Sequence, residues 1–237
     1  MIIAWSDTRN GIRDLYAQKI DNDGNYLWGV GGAIVSDFDG RQEDPLLVSD
    51  GSGGAFVIWG DIRNGSIGVY AQHISSSEQI SLDENGKECF WGIDGNTITS
   101  YSDKPNSLYL NNNQVIISWT DLRFGNNTKN FGQKIYNGWN NFEIEDGYTL
   151  SNSLAQDYPL LGNVGNNIMH IFPDISAEVK LKYQLLDQDL NLLGNDTGEL
   201  VNPLSDYPQF YTFDFINDNN SNSYLVFSEQ ELFAAFN

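Results

Sequence analysis

Residues 4–11 read AWSDTRNG, residues 58–65 read IWGDIRNG and residues 118–125 read SWTDLRFG. One pattern, Trp-x-Asp-x-Arg-x-Gly, is written three times. Two weaker copies follow at Phe172 in IFPDIS and Phe227 in VFSEQ. The five aromatic marks stand 54, 60, 53 and 55 residues apart. A period of this size signals an array of like units, none of which can bury its apolar face alone.

Three further marks keep the same order. LYAQKI (15–20), VYAQHI (69–74), NFGQKI (130–135) and KYQLL (182–186) align on Gln18, Gln72, Gln133 and Gln184, with LFAAF (232–236) a worn fifth copy. A glycine precedes a short β-prone run at Gly32, Gly95, Gly147 and Gly198. A proline opens the next unit at Pro45, Pro105, Pro159 and Pro208. The units span residues 1–40, 41–100, 101–154, 155–203 and 204–237, read as a single domain over 1–237.

Each unit reads as strands. PLLVS (45–49), the turn DGSGG, AFVIW (55–59), the turn GDIRNG and GVYAQHI (68–74) follow one another, rich in Val, Ile, Tyr and Trp and broken by Gly, Asn and Asp. No window of 11 residues carries a helical stripe. The pattern predicts an all-β fold, a β-propeller of about five four-stranded blades, three complete and two partial. AFVIW is continuously apolar, as a strand buried on both faces should be. The chain opens on a second strand (IIAW) and stops on a third, which favours a segment of a larger propeller over a closed five-unit ring.

Composition narrows the partners. The chain has 237 residues, and its 32 acidic and 12 basic side chains give a net charge of −20. That field repels phosphate backbones and anionic bilayers, so nucleic acid is not an expected partner. No apolar run approaches the roughly 20 residues that cross a bilayer, so no membrane insertion is expected. MIIAWSDTRN lacks the basic and apolar regions of a signal peptide. Cys89 is the single cysteine, which excludes an intrachain disulfide framework and a cysteine-based zinc site.

The charged residues of the motif are Asp7 and Arg9, Asp61 and Arg63, and Asp121 and Arg123, following Trp5, Trp59 and Trp119. In a propeller they fall in the turn after the second strand, where Asp accepts backbone N–H groups and Asn-Gly supplies the reversal. The same face carries the link between units, with Asp44, Asp103, Asp157 and Asp206. An arginine paired to one of these would staple turn to link. A ring of arginines reading an anionic ligand is the alternative, and Ser176 and Glu231 in the arginine slot weigh against it.

DNDGN (21–25) and DENGK (83–87) look like calcium loops, but their glycines come too early for a helix–loop–helix site. Asp21 and Asp23 are therefore weak calcium candidates, and no cofactor is expected. His73 takes the slot of Lys19 and Lys134 and is expected to face outward; His170 is expected to be packed. No Ser-His-Asp arrangement or His-x-x-x-His pair is legible. With 32 carboxylates, a pair at glycosidase spacing stays open.

The string W-x-D-x-R-x-G followed by D-x-Y-A-Q-x-I/L-D-x-x-G-x-x-L-W-G, clearest at residues 5–29, resembles the tandem propeller repeats of large exported bacterial surface proteins. Many of those end in a type IX secretion sorting domain. The resemblance implies an extracellular or cell-surface location and a non-catalytic role. The expectation is a monomeric scaffold or ligand-binding module for a glycan or a surface protein. The alternatives are a carbohydrate-active hydrolase with carboxylates around a central channel, or a structural spacer.

Overall fold

The computed structural model describes residues 1–63, 66–91, 106–110, 114–121, 128–136, 138, 147–154, 159–176, 180–201, 209–217 and 223–230. The fold is all-β and of the propeller type, with five antiparallel sheets in chain order and no helix among the described residues.

The first sheet holds β1 (Ile2–Asp7), β2 (Asp14–Lys19) and β3 (Ala33–Ser36). The second is a complete four-stranded blade of β4 (Arg41–Ser49), β5 (Ala55–Arg63), β6 (Ser66–Ile74) and β7 (Lys87–Trp91). The third holds β8 (Asn106–Leu110), β9 (Gln114–Asp121), β10 (Lys129–Tyr136) and β11 (Tyr148–Thr149). In the fourth, β12 (Leu160–Val164), β13 (Asn167–Asp174) and β14 (Lys180–Leu186) pair in order. Two short pieces, β15 (Leu192–Leu193) and β16 (Glu199–Leu200), both pair with β14. The fifth is the hairpin β17 (Gln209–Asn217) and β18 (Ser223–Gln230).

The chain forms two compact units, Met1–Ile117 with Gln133–Gly147, and Ser118–Gly132 with Tyr148–Asn237. Within the first unit β4 lies beside both β1 and β8. Within the second, β12 lies beside β17.

The continuous apolar run behaves as expected. Phe56, Val57, Ile58 and Trp59 of β5 are fully buried, so both faces of the strand are covered. Val57, Trp59, Tyr70 and Ile74 join Leu15, Ala17 and Val35 of the first sheet, and Trp28 from the segment between β2 and β3, in one core. Stacking sheet on sheet therefore buries faces that neither blade could bury alone.

One sequence mark is reassigned. Gly32, Gly86 and Gly198 hold equivalent places, so Gly86 fills the role assigned to Gly95, which lies outside the described residues. The place demands glycine for two reasons. Its φ is positive in each copy, at +82°, +87° and +76°. A Cβ on Gly86 would also stand 2.2 Å from Cη2 of Trp59, and one on Gly32 would stand 2.8 Å from Cη2 of Trp5. Where Phe172 replaces Trp, the ring keeps 3.2 Å from that point on Gly198. Motif aromatic and glycine are one packing pair.

Candidate functional site

The Trp-x-Asp-x-Arg pattern closes on itself. Residues i and i+2 share a strand face, so the Trp5 indole N–H donates to Asp7 Oδ2 at 2.9 Å, and Trp59 donates to Asp61 Oδ2 at 2.9 Å. Arg63 then grips Asp61 in a two-point fork, at 2.9 Å from Nε and 2.5 Å from Nη2. It also donates to the Asn85 carbonyl at 3.0 Å and lies 3.8 Å above the Tyr70 ring. Arg9 repeats this with Asp7, the Gly31 carbonyl and the Tyr16 ring. The Arg9 side chain holds the Asp7 carboxyl well below the usual range, against the upward push of burial. Asp121 ends β9, with Trp119 buried against Phe131, and Arg123 lies outside the described residues.

The expected staple thus has another partner in the two described copies: Arg9 and Arg63 each pair with the carboxylate of their own motif. A turn-to-link bridge does form, through Arg13, which donates to Glu43 Oε1 at 2.7 Å. The fourth sheet rebuilds the device by a different route. Ser176 stands in the arginine slot, but Lys182 on the neighbouring strand reaches Asp174 at 2.6 Å and the Thr197 carbonyl at 3.3 Å. Asp, cation and carbonyl are all retained.

The repeated glutamine is structural as well. Gln18 accepts from the Lys19 and Trp28 amides and donates to Gly29, and Gln72 does the same with His73, Leu82 and Asp83. It satisfies the backbone where the chain leaves the third strand. In the DNDGN loop, Asp21 accepts from the amides of Asp23 and Asn25 and from the Asn25 side chain. Hydrogen bonds from Asn25 lower the Asp21 carboxyl. Asp187 binds Asp189 and Asn191 in the same way, so both loops are self-satisfied turns. No group of three or more His, Cys, Asp or Glu able to hold a metal occurs among the described residues.

Two places depart from the scaffold. The first is the head of β4, where pairing slips between Glu43 and Leu46. Arg13 and Arg41 both pair with Glu43. Asp44 beside it is exposed and has φ +49°, a left-handed conformation that costs a non-glycine residue about 1–2 kcal/mol. Such strain persists only where the surroundings impose it, and it concentrates at functional sites.

The second lies at the other end of the blade, about 20 Å away along the strand. His73 is buried rather than outward-facing. Its Nε2 lies 2.9 Å from Asp50 Oδ2 and its Nδ1 lies 2.5 Å from Ser81 Oγ. The chain therefore does hold a Ser-His-Asp arrangement, contrary to the sequence reading. His170, in contrast, is packed as expected: burial pushes its imidazole down to about 3, and Asn130 Nδ2 donates to its Nε2 at 3.1 Å.

No protein-family model matches the chain, and no curated protein does. Solved structures do. An endo-arabinase from Bacteroides thetaiotaomicron is 12% identical, with 95% of this chain and 84% of that one covered at a TM-score of 0.48. An α-L-arabinofuranosidase from Clostridium thermocellum is also 12% identical, covering 96% and 82% at 0.44. A β-xylosidase/α-arabinofuranosidase from a compost metagenome, solved with xylotriose, is 12% identical and covers 90% and 73% at 0.47. These likenesses concern the fold. They nevertheless correct the expectation of a non-catalytic module that is not an enzyme, since all three are glycoside hydrolases.

Proposed function

We propose that the chain is a carbohydrate-active hydrolase that cleaves glycosidic bonds with carboxylates at the heads of its first strands, Asp44 among them. The observation that carries the reading is Asp44 itself: an exposed carboxylate held at φ +49° in a register slip, beside a glutamate already neutralised by two arginines. Glu43 and its arginines fix the bulge, and the bulge presents Asp44. The names of the three enzymes above make pentose-containing polymers the substrates to try first.

Glycosidic cleavage needs two carboxyl groups. One acts as base or nucleophile and the other protonates the leaving oxygen, and their separation sets the stereochemical outcome. Asp44 supplies one member. The repeat offers Asp103 as a candidate for the other; it lies outside the described residues. The test is reducing-sugar release from arabinan, arabinoxylan and xylo-oligosaccharides by wild type and by Asp44→Asn. Turnover that falls by about 10²-fold or more in the variant supports the reading. Equal turnover in both removes Asp44 from the chemistry.

A further inference from the structure

We propose that Ser81, His73 and Asp50 form a second, independent site, in which Ser81 is the nucleophile for hydrolysis of a carboxylic ester. It goes beyond the glycosidase reading and does not rest on it, since it occupies the opposite end of the second blade.

The electrostatics are ordered as such a site requires. Asp50 is buried, and its Oδ1 accepts the amides of Ser52 at 2.7 Å and Gly54 at 2.9 Å, which pins the carboxylate. Burial raises this acid, but hydrogen bonds from His73, Ser52 and Gly54 outweigh it and keep the group below its ordinary value. An ionised carboxylate at Nε2 selects the tautomer with the proton on that nitrogen. Nδ1 is then the acceptor and faces the Ser81 hydroxyl. The ring is held by Phe56, with centroids 4.7 Å apart. Ser81 alone of the three is exposed. A base oriented by a third group and in contact with an accessible hydroxyl is the constellation of an activated nucleophile.

The scaffold does not explain the trio. His73 occupies a slot that holds Lys19, Lys134 and Leu185 in the other units. In the fourth unit the turn matching Asp50 reads Val164-Gly165-Asn166. Lys19 reaches across from the first sheet to the carbonyls of Gly53 at 2.9 Å and Ser76 at 3.3 Å, placing a cation on the two loops that bear Asp50 and Ser81.

In the first half-reaction Nδ1 takes the Oγ proton while Oγ bonds to the ester carbon and the carbonyl electron pair moves to oxygen. The intermediate collapses, the carbon–alkoxy bond breaks, and the alkoxide leaves with the proton from Nδ1. Water then gives a proton to Nδ1 and bonds to the acyl carbon. The Oγ–carbon bond breaks and Oγ regains its proton. Ester and water become acid and alcohol, with no change of oxidation state.

The experiment is labelling of the intact protein with a fluorophosphonate, followed by peptide mapping. Wild type is expected to gain one label on Ser81, about 10²-fold faster than the urea-unfolded chain, and to release a burst of p-nitrophenol from p-nitrophenyl acetate. Ser81→Ala should lose the label and the burst while still folding by circular dichroism. Asp50→Asn, which acts through the imidazole, should slow labelling while still folding by circular dichroism. Folded wild type that stays unlabelled at Ser81 while trypsin is labelled to completion overturns the proposal. So does labelling at the same rate in the folded and unfolded chains.

Discussion

Replacing Arg63 by alanine removes the fork to Asp61, the bond to the Asn85 carbonyl and a guanidinium stacked 3.8 Å above Tyr70. The Arg63 side chain is 9% exposed and that of Asp61 is 0% exposed, so the variant strands a buried carboxylate with the Trp59 indole as its remaining side-chain donor. Breaking a buried pair from one side costs about 3–5 kcal/mol. For a chain of this length that corresponds to a fall in melting temperature of roughly 6–20 °C. Arg9→Ala removes the same bonds at a site whose arginine is 38% exposed, where water takes over the freed carboxylate. Its loss should be far smaller. Urea denaturation and calorimetry of both variants, with Asp61→Asn and the double variant Arg63→Ala/Asp61→Asn, give the coupling directly. Equal small losses for Arg63→Ala and Arg9→Ala would refute the claim that burial makes the second copy of the motif matter.

Gly86→Ala places a methyl against the Trp59 ring at positive φ and should cost about 2–4 kcal/mol; Gly24→Ala, at φ +86° with nothing within 4 Å, should cost about 1 kcal/mol. Lys182→Met should lose about 3 kcal/mol at pH 7. Burial raises Asp174, but the Lys182 and Ser176 hydrogen bonds hold its folded value below 3.8. The Lys182 contribution is therefore present above about pH 4 and fades as pH falls through the folded value, so variant and wild type should converge in acid. His170, buried and lowered from 6.5 to about 3, binds its proton only when unfolded over that window. His170 alone should cost an amount on the order of 4 kcal/mol between pH 6.5 and pH 3, a share of the acid slope that His170→Gln should remove in urea titrations.

Much of the fold was legible because the packing rules repeat. Trp59, Asp61, Arg63 and Gln72 recur at one period, and each meets a backbone or ring that recurs with it. The apolar run 55–59 announced burial on both faces. What stayed hidden depends on register between distant segments. Asp50 and His73 stand 23 residues apart and His73 and Ser81 stand 8 apart; only the pairing of Ala55 with Ile74 brings their turns to one end of the sheet. Lys182 escaped notice because it replaces Arg63 from a neighbouring strand. Sequence alone points to Gly95 rather than Gly86, because it shows a glycine before a β-prone run but not the tryptophan that packs on Gly86. For Asp44, the Asp-Pro spelling was visible, and the positive φ that marks it was not.

The assignment of Asp44 to glycan hydrolysis is the central claim. Turnover of the glycan panel by wild type and Asp44→Asn, at matched stability, tests it in one assay. Measurable bond cleavage by wild type and a loss of about 10²-fold or more in the variant are expected. Undiminished cleavage by Asp44→Asn, or binding of the same glycans by wild type with no cleavage at all, would contradict it.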